Sequence, residues 1–252
     1  MNTKTQIQQV KKILYGWSLI LFPIMLLLGF LMHPDLLSFA MTTTAQQLAA
    51  NFRHSAMFHI GHLIVTLAVP LIIAGHLAIT ERLQGKGIWY GFIGAVVGIF
   101  GAFILAVDKG SLCLVLSAFD TLPDAQFAQL VPLLQVMVDR AGLLWLNWLL
   151  VLLPLGAIIQ SIGIIKEKQL ATWQGISMIV GLVLLNNPDI ELISSLGAVL
   201  MMLGYIPLGI KILKAGVVSE DSQSQHFTTV EERSLAQDRG RSAKRVEHLF
   251  DL

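Results

Sequence analysis

The chain has 252 residues, 55% of them hydrophobic and 13% charged, with a formal net charge of +1. That charged fraction is about half the roughly 25% of an ordinary soluble domain, and the mean hydropathy of +0.71 argues for a membrane protein instead. Cys113 is the only cysteine, which excludes an intramolecular disulfide and a cysteine-rich metal site.

A bilayer hydrocarbon core of about 30 Å takes about 20 mostly apolar residues of helix. The spacing of apolar runs predicts an all-α polytopic transmembrane bundle of six spans. The first covers residues 14–32, after Lys4, Lys11 and Lys12. Its apolar run is longer than that of a signal peptide and no A-x-A-like site follows it, so it reads as an uncleaved span. The second covers about 55–79, starting at Ser55 and ending before Glu81 and Arg82, and the third runs from Ile88 to at least Val107. The last three cover about 142–165, 170–186 and 191–213.

Basic residues fix the expected orientation. Of the 17 Lys and Arg residues, 14 fall on one side of this pattern, and only Arg53, Lys109 and Arg140 fall on the other. Short loops rich in Lys and Arg stay in the cytoplasm, so both termini are expected there, with the chain in the cell membrane. Residues 1–13 form a cytoplasmic segment, 14–213 the six-helix transmembrane domain, and 214–252 a flexible charged cytoplasmic tail.

Two of the predicted outer loops are long, and both are expected to hold interfacial helical segments. In residues 33–54 the stretch MTTTAQQLAANFRH offers a Thr to cap a short helix. In residues 108–141, Pro123 suits a first helical turn and Asp124 its positive end. Phe127, Leu130, Val131, Leu134 and Met137 then recur at helical spacing. This loop reads as a helical cap folded back on the outer face, or as a broken extension of its neighbouring spans.

Histidines carry the chemistry. His33 ends the first span, and His54, His59 and His62 open the second, so all four fall toward the outer end. His62 sits roughly 10 Å below the start of its helix at 1.5 Å per residue, and His59 and His62 are helical neighbours. Asp108 and Lys109, Asp139 and Arg140, Asn147, and the Asn186, Asn187, Asp189 and Glu191 connection share that layer. The expected site is an outward-facing pocket in which His59, His62, Asp108 and Asn147 bind a small ligand. Imidazole and carboxylate also suit a divalent metal or haem iron, with His33, His59 and His62 as ligands. The plainer alternatives are that these histidines, with Trp145 and Trp148, anchor helix ends in the headgroup layer, and that Asp108–Lys109 is a simple ion pair. Gly91, Gly94, Gly98 and Gly101 read as a close-packing stripe.

His62 and His76 lie 14 residues apart, about 40° short of four full turns. That spacing resembles the haem-bearing helix of diheme cytochromes b, but none of spans three to six contributes a matching histidine. Ser55-x-x-x-His59 with Asp108 resembles part of the zinc site of the alkaline ceramidase and progestin-receptor-like membrane superfamily, without the later paired histidines. The H-E-x-x-H, G-x-S-x-G and Walker A motifs are absent. The RGRSAKR cluster in the tail fits anionic lipid better than nucleic acid. Two function classes follow. One is a small-ligand or cofactor-binding membrane protein; the other is a non-catalytic subunit or scaffold whose tail meets a cytoplasmic protein partner. Neither requires nor excludes enzymatic activity.

Overall fold

The computed structural model describes residues 3–39, 42–187 and 190–215. The charged tail beyond Ala215, with His226 and His248, and Asp189 lie outside the described residues. Nine α-helices are found among those described: α1 (Thr3–Leu31), α2 (Ala45–Phe52), α3 (Ala56–Arg82), α4 (Ile88–Asp120), α5 (Asp124–Arg140), α6 (Trp145–Leu149), α7 (Leu152–Lys166), α8 (Thr172–Leu184) and α9 (Glu191–Lys214).

Five helical segments are long and apolar enough to cross a membrane: α1, α3, α4, the α6–α7 stretch and α9. The segment expected as a fifth span is shorter. α8 has 13 residues, about 20 Å of helix against a core of about 30 Å. Its end is set by Asn187, whose side-chain amide donates to Leu184 O at 2.8 Å and whose side-chain oxygen accepts from Ile190 N at 2.6 Å. The directions of the neighbouring helices can be read from their glycine contacts. Gly94, Gly98 and Gly101 of α4 lie against Gln160, Gly156 and Leu153 of α7, so those helices are antiparallel. The same reading of Gly29 against Gly61, and of Gly16 against Gly209, makes α1 antiparallel to both α3 and α9. Since α3 and α4 form a hairpin, α7 and α9 run in the same direction. Between them in sequence, α8 is antiparallel to α9, with Gly181 on Gly197 and Met178 on Gly204.

Small residues make these approaches close. A Cβ on Gly156 would stand 2.2 Å from Gly98 N, and one on Gly101 would stand 2.1 Å from Leu153 N. Without a hydrophobic drive between helices in lipid, such backbone contact is what holds them. The predicted glycine stripe of α4 is thus a packing surface, with Gly98 serving a second purpose described below. The five long apolar segments and α8 contribute to one apolar core, including Leu19 and Phe22 of α1, Val69 of α3, Ala102 of α4, Ile164 of α7, Met178 of α8 and Tyr205 of α9. Phe22 meets Tyr205 edge-on at 4.8 Å.

A second, smaller core sits at the end of the bundle where α1 finishes and α3 begins. It joins Ala45 and Phe52 of α2, Phe58 of α3, Leu116 of α4, and Phe127 and Leu134 of α5. α4 supplies the post for this cap. Its 33 residues make about 50 Å of helix, about 20 Å more than a hydrocarbon core. Asp108 and Lys109 therefore do not end the helix, which continues to Asp120. The predicted α2 start is a capping box, in which Thr44 Oγ1 accepts from Gln47 N at 3.2 Å and Gln47 Oε1 accepts from Thr44 N at 3.1 Å. Gln135 of α5 ties the pair together, accepting from Ala45 N at 2.8 Å.

Candidate functional site

The four histidines expected to share a layer do so, but they divide into two assemblies. In the first, His33 leaves α1 and its Nδ1 meets the Asp35 carboxylate in a short contact. Its Nε2 lies 3.9 Å from Glu191 Oε1 at the start of α9. Asn51 of α2 donates to the other Asp35 oxygen at 3.0 Å. The His33 ring lies 5.9 Å from that of His62, and Phe58 packs beside both, at 5.0 and 4.2 Å. His62 Nδ1 donates to Phe58 O, one turn back, at 3.0 Å. A carbonyl only accepts, so this bond fixes the tautomer and leaves Nε2 of His62 as a lone-pair site.

Ser195, one turn beyond Glu191 on α9 and hence on the same face, is buried, and its hydroxyl has no hydrogen-bond partner among the described residues. Next to this assembly, Leu31–Ser38 and His54–Met57 line an open cleft of about 820 Å³. His33 and Asp35 therefore form part of the cleft wall.

The second assembly sits where the α2–α3 turn meets the end of α4. His54 takes a left-handed conformation, φ 57°, with its backbone N–H donating to Asp120 Oδ1 at 2.8 Å. His59 and His62 lie about 60° apart around α3, and the His59 side chain makes its contacts with α4. His59 Nε2 lies 3.1 Å from Asp120 Oδ2, and Ser117 Oγ lies 3.0 Å from His59 Nδ1. Arg53 closes the helix end. Its Nη1 donates to the carbonyls of Phe119, Asp120 and Leu122, each at 3.1 Å, while Nη2 donates to Asp124 at 2.6 Å. Its guanidinium also lies over the Phe127 ring at 4.3 Å. A cation is favourable beside the last carbonyls of a helix, which carry its negative end.

The remaining predicted site residues fall elsewhere. Asp108 pairs with Lys109 at 3.3 Å. Asn147 turns back on its own local turn, donating to Ala141 O at 2.8 Å, and is not joined to the histidines. The three proposed metal ligands do not converge: among the described residues, no group of three or more His, Cys, Asp or Glu is arranged to hold a metal ion. His76, the second residue of the diheme-like spacing, is packed within the bundle. It is buried against Gly98, where a Cβ would stand 2.2 Å from the imidazole, and its Nδ1 donates to Gln160 at 2.7 Å.

Arg53, Ser117 and Asp120 had no distinguishing mark in the sequence, because their contacts span 58 to 71 residues. Comparison with known protein families, characterised proteins and solved structures finds no match to this chain.

Proposed function

We propose that this chain is a six-span protein of the cell membrane, with both termini cytoplasmic, that binds a small hydrogen-donating ligand, such as an organic ammonium ion, from the outer side. The observation that carries the reading is His33, which lines the cleft with Asp35, its ring 5.9 Å from that of His62 and its Nε2 3.9 Å from Glu191 Oε1 behind the wall. Imidazole lone pairs and carboxylates are acceptors, and the orphaned Ser195 hydroxyl adds a further polar group on the Glu191 face. A site rich in acceptors favours a cationic donor over an anion. A haem between the two imidazoles would have to displace Phe58, which makes the colourless ligand the better reading.

Span positions support the membrane setting. Trp89 and Trp173 are exposed at the start of α4 and α8, and Trp145 and Trp148 are exposed in α6. Continuing the α4–α7 register puts Trp145 and Trp148 beside Ala106–Lys109, about 26–30 Å along α4 from Trp89. Tryptophan gathers at the two interfaces, and that separation matches a hydrocarbon core. The return of α8 between the parallel α7 and α9 supports six crossings. Lys11, Arg82, Lys86, Lys166, Lys168, Lys211 and Lys214 then share the cytoplasmic end.

A second reading, a non-catalytic subunit whose tail meets a cytoplasmic partner, draws on the helix-end bonds of Arg53, Asp120 and Asn147, which terminate and clamp helices. Purified full-length protein decides between them. An absorption spectrum and metal analysis are expected to show neither haem nor metal, and alkylammonium ions are expected to raise the melting temperature of wild type and not of Glu191→Gln. A shift equal in both would leave only the scaffold reading.

A further inference from the structure

Ser117, His59 and Asp120 stand in the order that nucleophilic catalysis needs, and we propose that they form a serine-nucleophile site that attacks carboxylic esters at the outer end of the bundle. The inference stands on the second assembly and does not depend on ligand binding at His33.

Hydrogen-bond chemistry fixes the direction of the chain of groups. An ionised carboxylate only accepts, so the 3.1 Å contact with Asp120 Oδ2 requires the proton on Nε2 of His59. Nδ1 is then the lone-pair nitrogen, and the hydroxyl 3.0 Å away must donate to it. Nucleophile, base and orienting acid are thereby assigned by geometry and role, as such sites are recognised on any fold. The two ring nitrogens are exchanged relative to the usual serine protease arrangement, which leaves the proton path unchanged.

Each member is held. Asp120 is fixed by the backbone N–H of His54 at 2.8 Å, with Arg53 Nη1 3.9 Å from its Oδ1. The His59 ring is gripped by Phe52 at 6.4 Å and Phe58 at 5.6 Å, both meeting it edge-on. Ser117 is one turn before Asp120 on α4, so both project from one helical face toward α3. His59 and Asp120 keep side-chain exposures of 18% and 19%, and this part of α4 extends past the apolar bundle. Water and a polar ester can therefore reach the group.

In the reaction, Ser117 Oγ bonds to the ester carbonyl carbon while its proton passes to His59 Nδ1. The C–O bond to the alcohol breaks, and the alcohol leaves with that proton. Water then attacks the acyl-serine with His59 as base, releasing the carboxylic acid. The backbone N–H groups around Ser117 are used within α4, so the oxyanion is left to solvent. One oxyanion donor is worth about 10²–10³ in rate, so turnover is expected to be slow and acylation is the better readout.

The test uses a fluorophosphonate probe, in which Ser117 Oγ displaces fluoride from phosphorus. Full-length protein in detergent and in phospholipid vesicles is treated, and the modified residue is located by peptide mass mapping. The expected result is stoichiometric modification at Ser117 in native protein, absent from protein unfolded in denaturant. His59→Gln is expected to slow modification by about 10²-fold or more, the usual contribution of a positioned base, with Asp120→Asn slowed less. An unmodified Ser117 in native wild type overturns the proposal without any variant. So does modification of a folded His59→Gln at the wild-type rate, since that would mark only an exposed hydroxyl.

Discussion

His76 Nδ1 donates to Gln160 Oε1 at 2.7 Å across the α3–α7 contact. The Gln160 amide donates in turn to His76 O at 3.0 Å, Thr80 Oγ1 at 3.1 Å and Gly91 O at 3.1 Å. A single side chain of α7 therefore satisfies polar groups of two other helices, α3 and α4, in the buried interior. An ionisable residue inside a membrane bundle invites a functional reading, but the Nδ1 bond to Gln160 and the fit of the ring against Gly98 make His76 a packing residue. Gly98 is what admits it, since any side chain there would occupy the imidazole's place.

Gln160→Leu keeps the volume and removes all four bonds. Leaving buried polar groups unsatisfied costs about 1–3 kcal/mol each in protein interiors, and several are orphaned together. The variant is expected to lose several degrees of melting temperature in detergent. His76→Phe is expected to be milder in the Gln160→Leu background than alone, because its partner is already gone. Equal losses in both backgrounds would show that the two side chains do not act as a unit.

Gly156→Leu is expected to separate α4 from α7 outright. Its Cβ alone would sit 2.2 Å from Gly98 N, and neither backbone can give way as a flexible side chain would. Overpacking commonly costs about 1–3 kcal/mol and more where backbone must move. Thermal melting and expression yield should both fall. Gly110→Ala, where no atom lies within 4 Å, is the matched control and should melt within about 1 kcal/mol of wild type, as a helical Gly-to-Ala change does.

Arg53→Ala is expected to fray the end of α4. It removes a buried guanidinium that serves three carbonyls and Asp124. Hydrogen bonds to charged groups contribute about 1.5–3 kcal/mol. Amide exchange over residues 117–122 should accelerate while the apolar bundle keeps its protection. Arg53→Lys should restore little, because a compact ammonium lacks the planar fork that reaches four acceptors at once.

What the sequence revealed and what it hid separate along physical lines. Local signals were sufficient for α2, where Thr44-x-x-Gln47 forms a capping box, and for α5, where Pro123 and Asp124 mark the start. Apolar run length located the long helices. It overestimated α8, because hydropathy counts through Asn186 and Asn187 while the Asn187 side chain already stops the helix at Leu184. For α4 it gave a span reaching at least Val107 and left the far end open, and the helix runs past the Asp108–Lys109 pair through the apolar SLCLVLSAF to Asp120. Asn147 was placed two turns deep by assuming an unbroken helix from residue 142, whereas the chain leaves helical geometry at Leu144, whose backbone is extended. That His33, His54, His59 and His62 gather at one end of the bundle was legible from the alternating direction of the spans. Their division was not, since Ser117 and Asp120 reach His59 only through tertiary packing.

Orientation is open to direct measurement. In a Cys113→Ser background, Gln84→Cys lies in the α3–α4 turn and Gln126→Cys on the exposed side of α5. A membrane-impermeant maleimide added to intact cells is expected to label the residue-126 site and to reach the residue-84 site only after permeabilisation. The reverse pattern would invert the bundle and put the cleft and the second assembly in the cytoplasm.

The two assemblies should be separable by a single bulky substitution. Ala56 lines the cleft and is exposed at the first turn of α3, while Ser117 and Asp120 are not among the cleft's lining residues. Ala56→Trp adds an indole to the cleft mouth without removing any bond made by His33, His59 or His62. Alkylammonium-dependent stabilisation, about 2.7 kcal/mol at a hundred times the Kd, is expected to vanish in this variant while fluorophosphonate modification of Ser117 continues at the wild-type rate. Because His59 and His62 lie about 60° apart around α3, neighbouring positions in the sequence feed different sites. Loss of both responses together would mean instead that one pocket serves all four histidines.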